Sequence, residues 1–150
     1  VGLKQRIDAD LKTALLTGNR FDSEVLRGLK AAILNEEVAK SMRDEGLDES
    51  SIEQLVAREI KKRNDSASQY EQADRSELSE TERQEAGVLA IYLPEQASEA
   101  DIAAAVDKAI VTTRATTMAQ MGQVIGTVKA ELGNSADGAL IARLVKDALQ

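Results

Sequence analysis

Apolar residues recur every three or four positions along almost the whole chain, the spacing of helices that bury one stripe and wet the other. Leu3, Ile7, Leu11 and Leu15 form the first stripe, with Lys4, Arg6, Asp8, Asp10 and Lys12 on the wet face and Gly18 and Asn19 as a stop. Asp22 is placed to cap a second helix, with Phe21 packing on Leu26 as a hydrophobic staple. Leu26, Leu29, Ile33 and Val38 mark its buried side, and it is predicted to run out in the polar stretch 42–46, where Gly46 can turn left-handed.

A third helix is predicted to start between Asp48 and Ser50, with Ser50 and Glu53 spaced as a capping box, and to carry Ile52, Leu55, Val56, Ile60, Ala67 and Tyr70. Between about residues 61 and 87 the chain is very polar, so two helices there must present a wide solvated face. Asp74, Arg75 and Ser76 form the corner. Leu78, Glu82, Glu85, Leu89 and Tyr92 mark one side of a fourth helix, which must end before Pro94 because proline bars the helical region for Leu93.

The character of the chain changes around Leu93, Pro94, Glu95 and Gln96. Residues 1–95 carry 14 basic and 20 acidic side chains, whereas residues 96–150 carry 5 and 6, so the acidity belongs to the first part. Ser98 can cap a fifth helix bearing Ile102, Val106 and Ile110. Thr116 or Thr117 can cap a sixth bearing Met121, Val124, Ile125 and Val128, and Asp137 a seventh bearing Leu140, Ile141, Leu144, Val145 and Leu149. The pattern therefore predicts an all-α, multihelical protein: a four-helix N-terminal domain over 1–95 and a three-helix bundle over 96–150.

Composition narrows the chemistry. With 150 residues, one proline, nine glycines and no cysteine or histidine, the chain cannot build a disulfide, a thiolate or imidazole metal site, or a Ser-His-Asp triad. Glu36 and Glu37, Asp44 and Glu45, and the group Glu80, Glu82 and Glu85 read as solvated charge, and no calcium-loop order of ligands is present. No metal, cofactor or catalytic residue is predicted. No apolar run approaches the roughly 20 residues that span a bilayer, and no basic-then-apolar leader opens the chain, so a cytoplasmic protein with no membrane partner is expected.

Gly122, Gln123, Val124, Ile125 and Gly126 form a glycine-bearing run, but no Gly-Lys-Thr or Gly-Lys-Ser follows and no strand precedes it, so it is not a nucleotide loop. On a helix the two glycines share one face, where a missing side chain suits either tight helix packing or approach of an RNA backbone. Lys129, Arg143 and Lys146, with Lys108 and Arg114 as neighbours, could contact phosphate or could form an ordinary solvated face. A net charge of −7 opposes polyanion binding unless the positive side chains are segregated. Lys61, Lys62 and Arg63 lie beside Glu59 and Asp65 and are expected to pair locally. Phe21, Tyr70 and Tyr92 are the only aromatics, too few for single-strand stacking. Tyr92 is expected to pack across the domain junction, its hydroxyl needing a partner.

Five segments, in order and in register, resemble the GatB/YqeY family, specifically its stand-alone YqeY-like proteins. They are Val25-Leu26-Arg27-Gly28-Leu29-Lys30-Ala31-Ala32-Ile33-Leu34-Asn35-Glu36-Glu37, Arg58-Glu59-Ile60-Lys61-Lys62-Arg63-Asn64-Asp65-Ser66, Tyr92-Leu93-Pro94-Glu95-Gln96, Met121-Gly122-Gln123-Val124-Ile125-Gly126 and Ala136-Asp137-Gly138. The resemblance implies a larger N-terminal and a smaller C-terminal helical part. It further implies that the C-terminal part is similar to the tail domain of the B subunit of the glutamine-dependent transfer-RNA amidotransferase, which helps hold transfer RNA. The family's label of carbon-nitrogen ligase activity with glutamine as amido donor attaches to that assembly, whose catalytic centres lie outside the tail.

The expected function is a non-catalytic accessory module that docks transfer RNA or an aminoacylation-linked protein assembly, and not DNA, through Gly122, Gln123, Gly126, Lys129, Arg143 and Lys146. The alternative is a protein-interaction module whose acidic N-terminal helices bind a partner with no RNA role. An intrinsic amidase or ligase would need a nucleophile and base that cannot be placed among the serines, lysines and acids.

Overall fold

A computed structural model describes residues 2–150. It contains seven α-helices: α1 (Leu3–Leu16), α2 (Arg20–Ala39), α3 (Glu49–Gln72), α4 (Ser76–Ala90), α5 (Glu99–Thr113), α6 (Met121–Leu132) and α7 (Gly138–Leu149). Single 3-10 turns flank α6 at Met118–Gln120 and Gly133–Ser135, and no strand occurs among the described residues. The protein is all-α. Its chain divides into two compact units between Leu93 and Pro94, so Pro94 and Glu95 fall with the second.

In the first unit, α1 and α2 form a hairpin around Gly18, whose φ of +74° is the left-handed conformation that costs glycine least. The cap of α2 is Asn19, which accepts from the Asp22 backbone N–H at 3.1 Å, and not Asp22 itself. Phe21 consequently lies inside the helix, 37% exposed, and is no staple. The buried row of α1 is Leu3, Ile7 and Ala14, while Leu15 is 49% exposed. Four-residue steps overrun the 3.6-residue turn by about 40° each, so Leu15 has rotated out and Ala14 takes its place.

The same geometry corrects α2. After Leu26, Leu29 and Ile33 the buried row continues at Glu37, while Val38 is exposed. The helix ends at Ala39, earlier than the glycine suggests, because Ser41 adopts φ +55° and Met42 N–H returns to the Glu37 carbonyl at 2.7 Å. Gly46, at φ +77°, shapes the connection to α3 instead. Asp48 caps α3 by accepting from Ser51 N–H at 2.7 Å.

Helices α3 and α4 form a long hairpin turned at Asp74, φ +58°. Near the core they bury Ile52, Leu55, Val56 and Leu89. Farther out, the small buried residues Ala67 and Ser79 keep bulk off the interface, and polar contacts fasten it. Glu71 accepts from Arg83 at 2.8 and 3.0 Å and from the Ser79 hydroxyl at 3.0 Å. Arg63 lies between Glu59 at 3.5 Å and Glu85 at 3.6 Å, Lys62 pairs with Glu59 and Lys61 with Asp65. The basic cluster of α3 is thus spent on local pairs. Leu78, on the expected inner side of α4, is exposed, and Ser79 and Ala86 are buried in its stead.

Tyr92 belongs to the core of this first unit, with Ile7, Leu29, Ile33, Ile52 and Val56. Its partners are Asp10 and Arg6 of α1, not groups across a junction. Truncating any of these fully buried aliphatics is worth about 2–5 kcal/mol.

The second unit is a three-helix bundle in which each helix touches the other two. Ala97 N–H donates to the Ser135 carbonyl at 2.7 Å and ties its start to the α6–α7 connection. Ser98 caps α5 through Asp101 N–H, and Asp137 caps α7 through Ala139 N–H. Thr117 precedes a 3-10 turn, and the Gln120 side-chain carbonyl accepts from the N–H groups of Thr116 and Thr117 before α6 begins. Ile102, Val106, Val124, Val128, Ile141 and Val145 fill the core.

Candidate nucleic-acid interface

The core of the second unit decides which side chains of α6 remain outside. Val124 and Val128 are buried and Met121, Ile125 and Leu132 are partly so, which turns Gly122, Gln123, Gly126 and Lys129 to the surface. A Cβ built on Gly122 or Gly126 meets nothing within 4 Å. No helix of the described structure uses these glycines for close packing. They leave a low, side-chain-free strip on an exposed helical face, with Gln123 beside it.

Lys129 continues that face one turn on. Its Cε and Nζ pass 3.5 and 3.6 Å from where a Cβ of Gly138 would stand, an ordinary contact distance, so the lysine stem lies along the start of α7. On α7, burial of Ile141 and Val145 places Arg143 and Lys146 outside. Arg143 leans toward α5 and holds Glu99 at 2.8 Å. Lys108 is paired with Glu131 at 3.4 Å. Among the described residues, Lys129, Lys146 and Arg114 make no ion pair. The five cations therefore form two neutralised and three free positions and not one uniform patch. Both pairs are exposed, and such pairs are worth about 0–1 kcal/mol, so a phosphate can displace either carboxylate cheaply.

The acidic residues that the sequence pattern read as solvated charge, and that the structure places otherwise, lie in the first unit. Glu37 is 1% exposed in its side chain, and it accepts from Lys4 at 2.9 Å, Arg43 at 3.2 Å and Leu47 N–H at 3.2 Å. The Lys4 bond, helped by Leu47 and Arg43, outweighs burial and holds its carboxyl below the ordinary value. Its neighbour Glu36 is half-buried and pairs with Arg58 at 2.7 Å, so neither is simply solvated charge. The signal was available, since Glu37 stands four residues after Ile33. Around Arg63, Glu82 is pushed the other way, its carboxyl raised by burial and by Glu85.

No three acidic side chains among the described residues converge as a metal site, and no described helix is long and apolar enough to cross a membrane. The described structure is thus an all-helical protein of two compact units. The chain belongs to the YqeY-like protein family, whose model matches residues 4–149. It is also similar to the "Altered inheritance of mitochondria protein 41, mitochondrial" of Lachancea thermotolerans, 34% identical over 99 residues. That stretch is 65% of this chain and 52% of the relative, so the match spans about half of that protein's length. The relative is mitochondrial by name, so family membership extends beyond the compartment expected from the sequence.

Proposed function

We propose that the protein is a non-catalytic accessory module that docks transfer RNA, alone or within an amidotransferase-type assembly, through its C-terminal bundle. The observation that carries this reading is the open strip over Gly122 and Gly126 next to the unpaired Lys129. A backbone without side chains lets a phosphodiester approach closely, and a free ammonium beside it releases counterions on contact. Gln123 adds a hydrogen-bonding amide, and α7 adds the unpaired Lys146 and an Arg143 that a phosphate would take from Glu99. The resemblance to the amidotransferase tail supplies the identity of the polyanion. In this reading the chain contributes no reacting group and works in the cytoplasm or in another compartment where aminoacylation takes place.

The test is a titration of the protein against total transfer RNA and against duplex DNA of similar charge at two salt concentrations. Preference for transfer RNA that survives near-physiological salt is expected, and Arg143→Glu with Lys146→Glu should abolish it without loss of helicity. Each phosphate-contacting cation removed should lower the slope of log affinity against log salt by about 1. Equal weak binding that vanishes with salt would overturn this reading. It would favour the protein-interaction alternative, which the exposed Asp44 and Glu45 of the α2–α3 connection support.

A further inference from the structure

Helix α2 carries two apolar rows. Leu26, Leu29 and Ile33 face the core, while Ala31, Leu34 and Val38 face outward, Leu34 41% and Val38 59% exposed. The outward steps of three and four residues are those of a seam that packs against another helix. Beside this row, α1 and α2 enclose an open groove of about 320 Å³, with Ile7 and Ile33 in its floor and Leu34 on its wall.

The rim has a definite sign. Lys4, Lys30 and Arg43 stand on it, their side chains 44%, 45% and 55% exposed. Two of these cations are paired with Glu37, whose side chain is 1% exposed and therefore turned wholly inward. The third is paired with Asp8 at 2.8 Å, the one rim carboxylate that solvent reaches freely. An ammonium has three N–H donors and a guanidinium five, so each cation keeps donors that these bonds leave unused. The lining thus carries three cations against two carboxylates, one of them turned inward, and is net positive in a chain whose net charge is −7.

We propose that this groove docks an acidic amphipathic helix of a partner protein. Its apolar residues at i, i+3 or i+4, and i+7 would cover Ala31, Leu34 and Val38, and its flanking carboxylates would take up the spare donors of Lys4, Lys30 and Arg43. A nucleic acid satisfies the rim but leaves the apolar row uncovered, so the combination favours a peptide. The site lies in the first unit and is independent of the RNA reading of the second.

The full chain is titrated into a labelled designed helix of about 21 residues, three heptads with leucine at the seam and glutamate on the flanks, followed by fluorescence anisotropy. The control peptide carries lysine in place of glutamate. Saturable binding of the acidic peptide is expected, with the lysine control at least roughly tenfold weaker. Leu34→Asp should weaken it by roughly tenfold or more, as expected for an anchor at the centre of an interface. Val38→Asp is the second variant, and circular dichroism checks that each keeps its helices, since both side chains are exposed. Lys30→Glu should weaken binding and flatten its salt dependence. Absent binding, equal binding of both peptides, unchanged affinity in both aspartate variants, or displacement of the peptide by transfer RNA would overturn the proposal. So would a dimer in sedimentation that Leu34→Asp converts to monomer, which would make a second copy the occupant.

Discussion

The Tyr92 hydroxyl donates a 2.6 Å hydrogen bond to Oδ2 of Asp10, joining positions 82 residues apart. The ring is buried, the Arg6 guanidinium lies 5.1 Å from its centroid, and the same guanidinium donates to the Ile91 carbonyl at 3.0 Å. One tyrosine thereby fastens the chain just before Pro94 to the first helix of its own unit.

Tyr92→Phe should cost about 1–3 kcal/mol in urea unfolding, toward the low end because Asp10 is only half-buried and can rehydrate. Burial, and then the Asp10 bond, raise the hydroxyl well above its ordinary value of 10.0. The stabilisation from the raised value is complete below that ordinary value and is lost as pH rises toward the folded one. Stability should therefore begin to fall above about pH 10, where the unfolded phenol ionises first. That alkaline slope should be smaller in Tyr92→Phe.

Glu37→Gln should cost about 2–4 kcal/mol, below the usual penalty for breaking a buried pair because Lys4 and Arg43 are half-exposed and can return to water. The carboxyl is held below its ordinary 4.5, so its contribution is present above that pH and is lost as pH falls through the folded value. Acid unfolding curves should show the wild type losing stability below about pH 4.5 more steeply than Glu37→Gln. Parallel curves would mean that the three bonds to Glu37 do not hold in solution.

Glu82 has the opposite sign. Burial and Glu85 raise its carboxyl, so the group favours the fold below its ordinary 4.5 and this is lost as pH rises through the folded value. At neutral pH the ionised side chain is a net cost. Glu82→Gln should raise the thermal midpoint at pH 7 and leave it nearly unchanged at pH 4, as scanning calorimetry can show.

The two glycines of α6 separate a docking role from neutral drift. Both sit inside a helix with open space where a Cβ would go, so Gly122→Ala and Gly126→Ala should each stabilise the protein by about 0.5–1 kcal/mol. If the strip receives an RNA backbone, the same variants should bind transfer RNA more weakly. A gain in stability with unchanged RNA affinity would remove the glycines from the interface.

Particular residues show how far the pattern could be read. Ser98 and Asp137 cap the helices that sequence assigns to them, because a cap is a local bond within three residues. Asp22 fails as a cap because the helix already begins at Arg20, with Asn19 accepting from the backbone N–H of Asp22 itself and Asp22 lying in the first turn. Of the predicted interface, the exposure of Gly122, Gln123, Gly126, Lys129, Arg143 and Lys146 follows from the apolar rows of α6 and α7. The pairing of Arg143 with Glu99, 44 positions earlier, does not, since it depends on where α5 lies.

By itself the sequence determined the helical class, the number and order of helices, the change of character near Pro94 and the family. These depend on periodicity, capping and proline sterics, which act over a few residues. Only the tertiary structure decided that Glu37 is buried and triply bonded, that Tyr92 meets Asp10, and that Leu34 and Val38 stay uncovered above a cationic groove. Each of these depends on which helix lies against which, and side chains brought together by packing carry no mark of it in their local spacing.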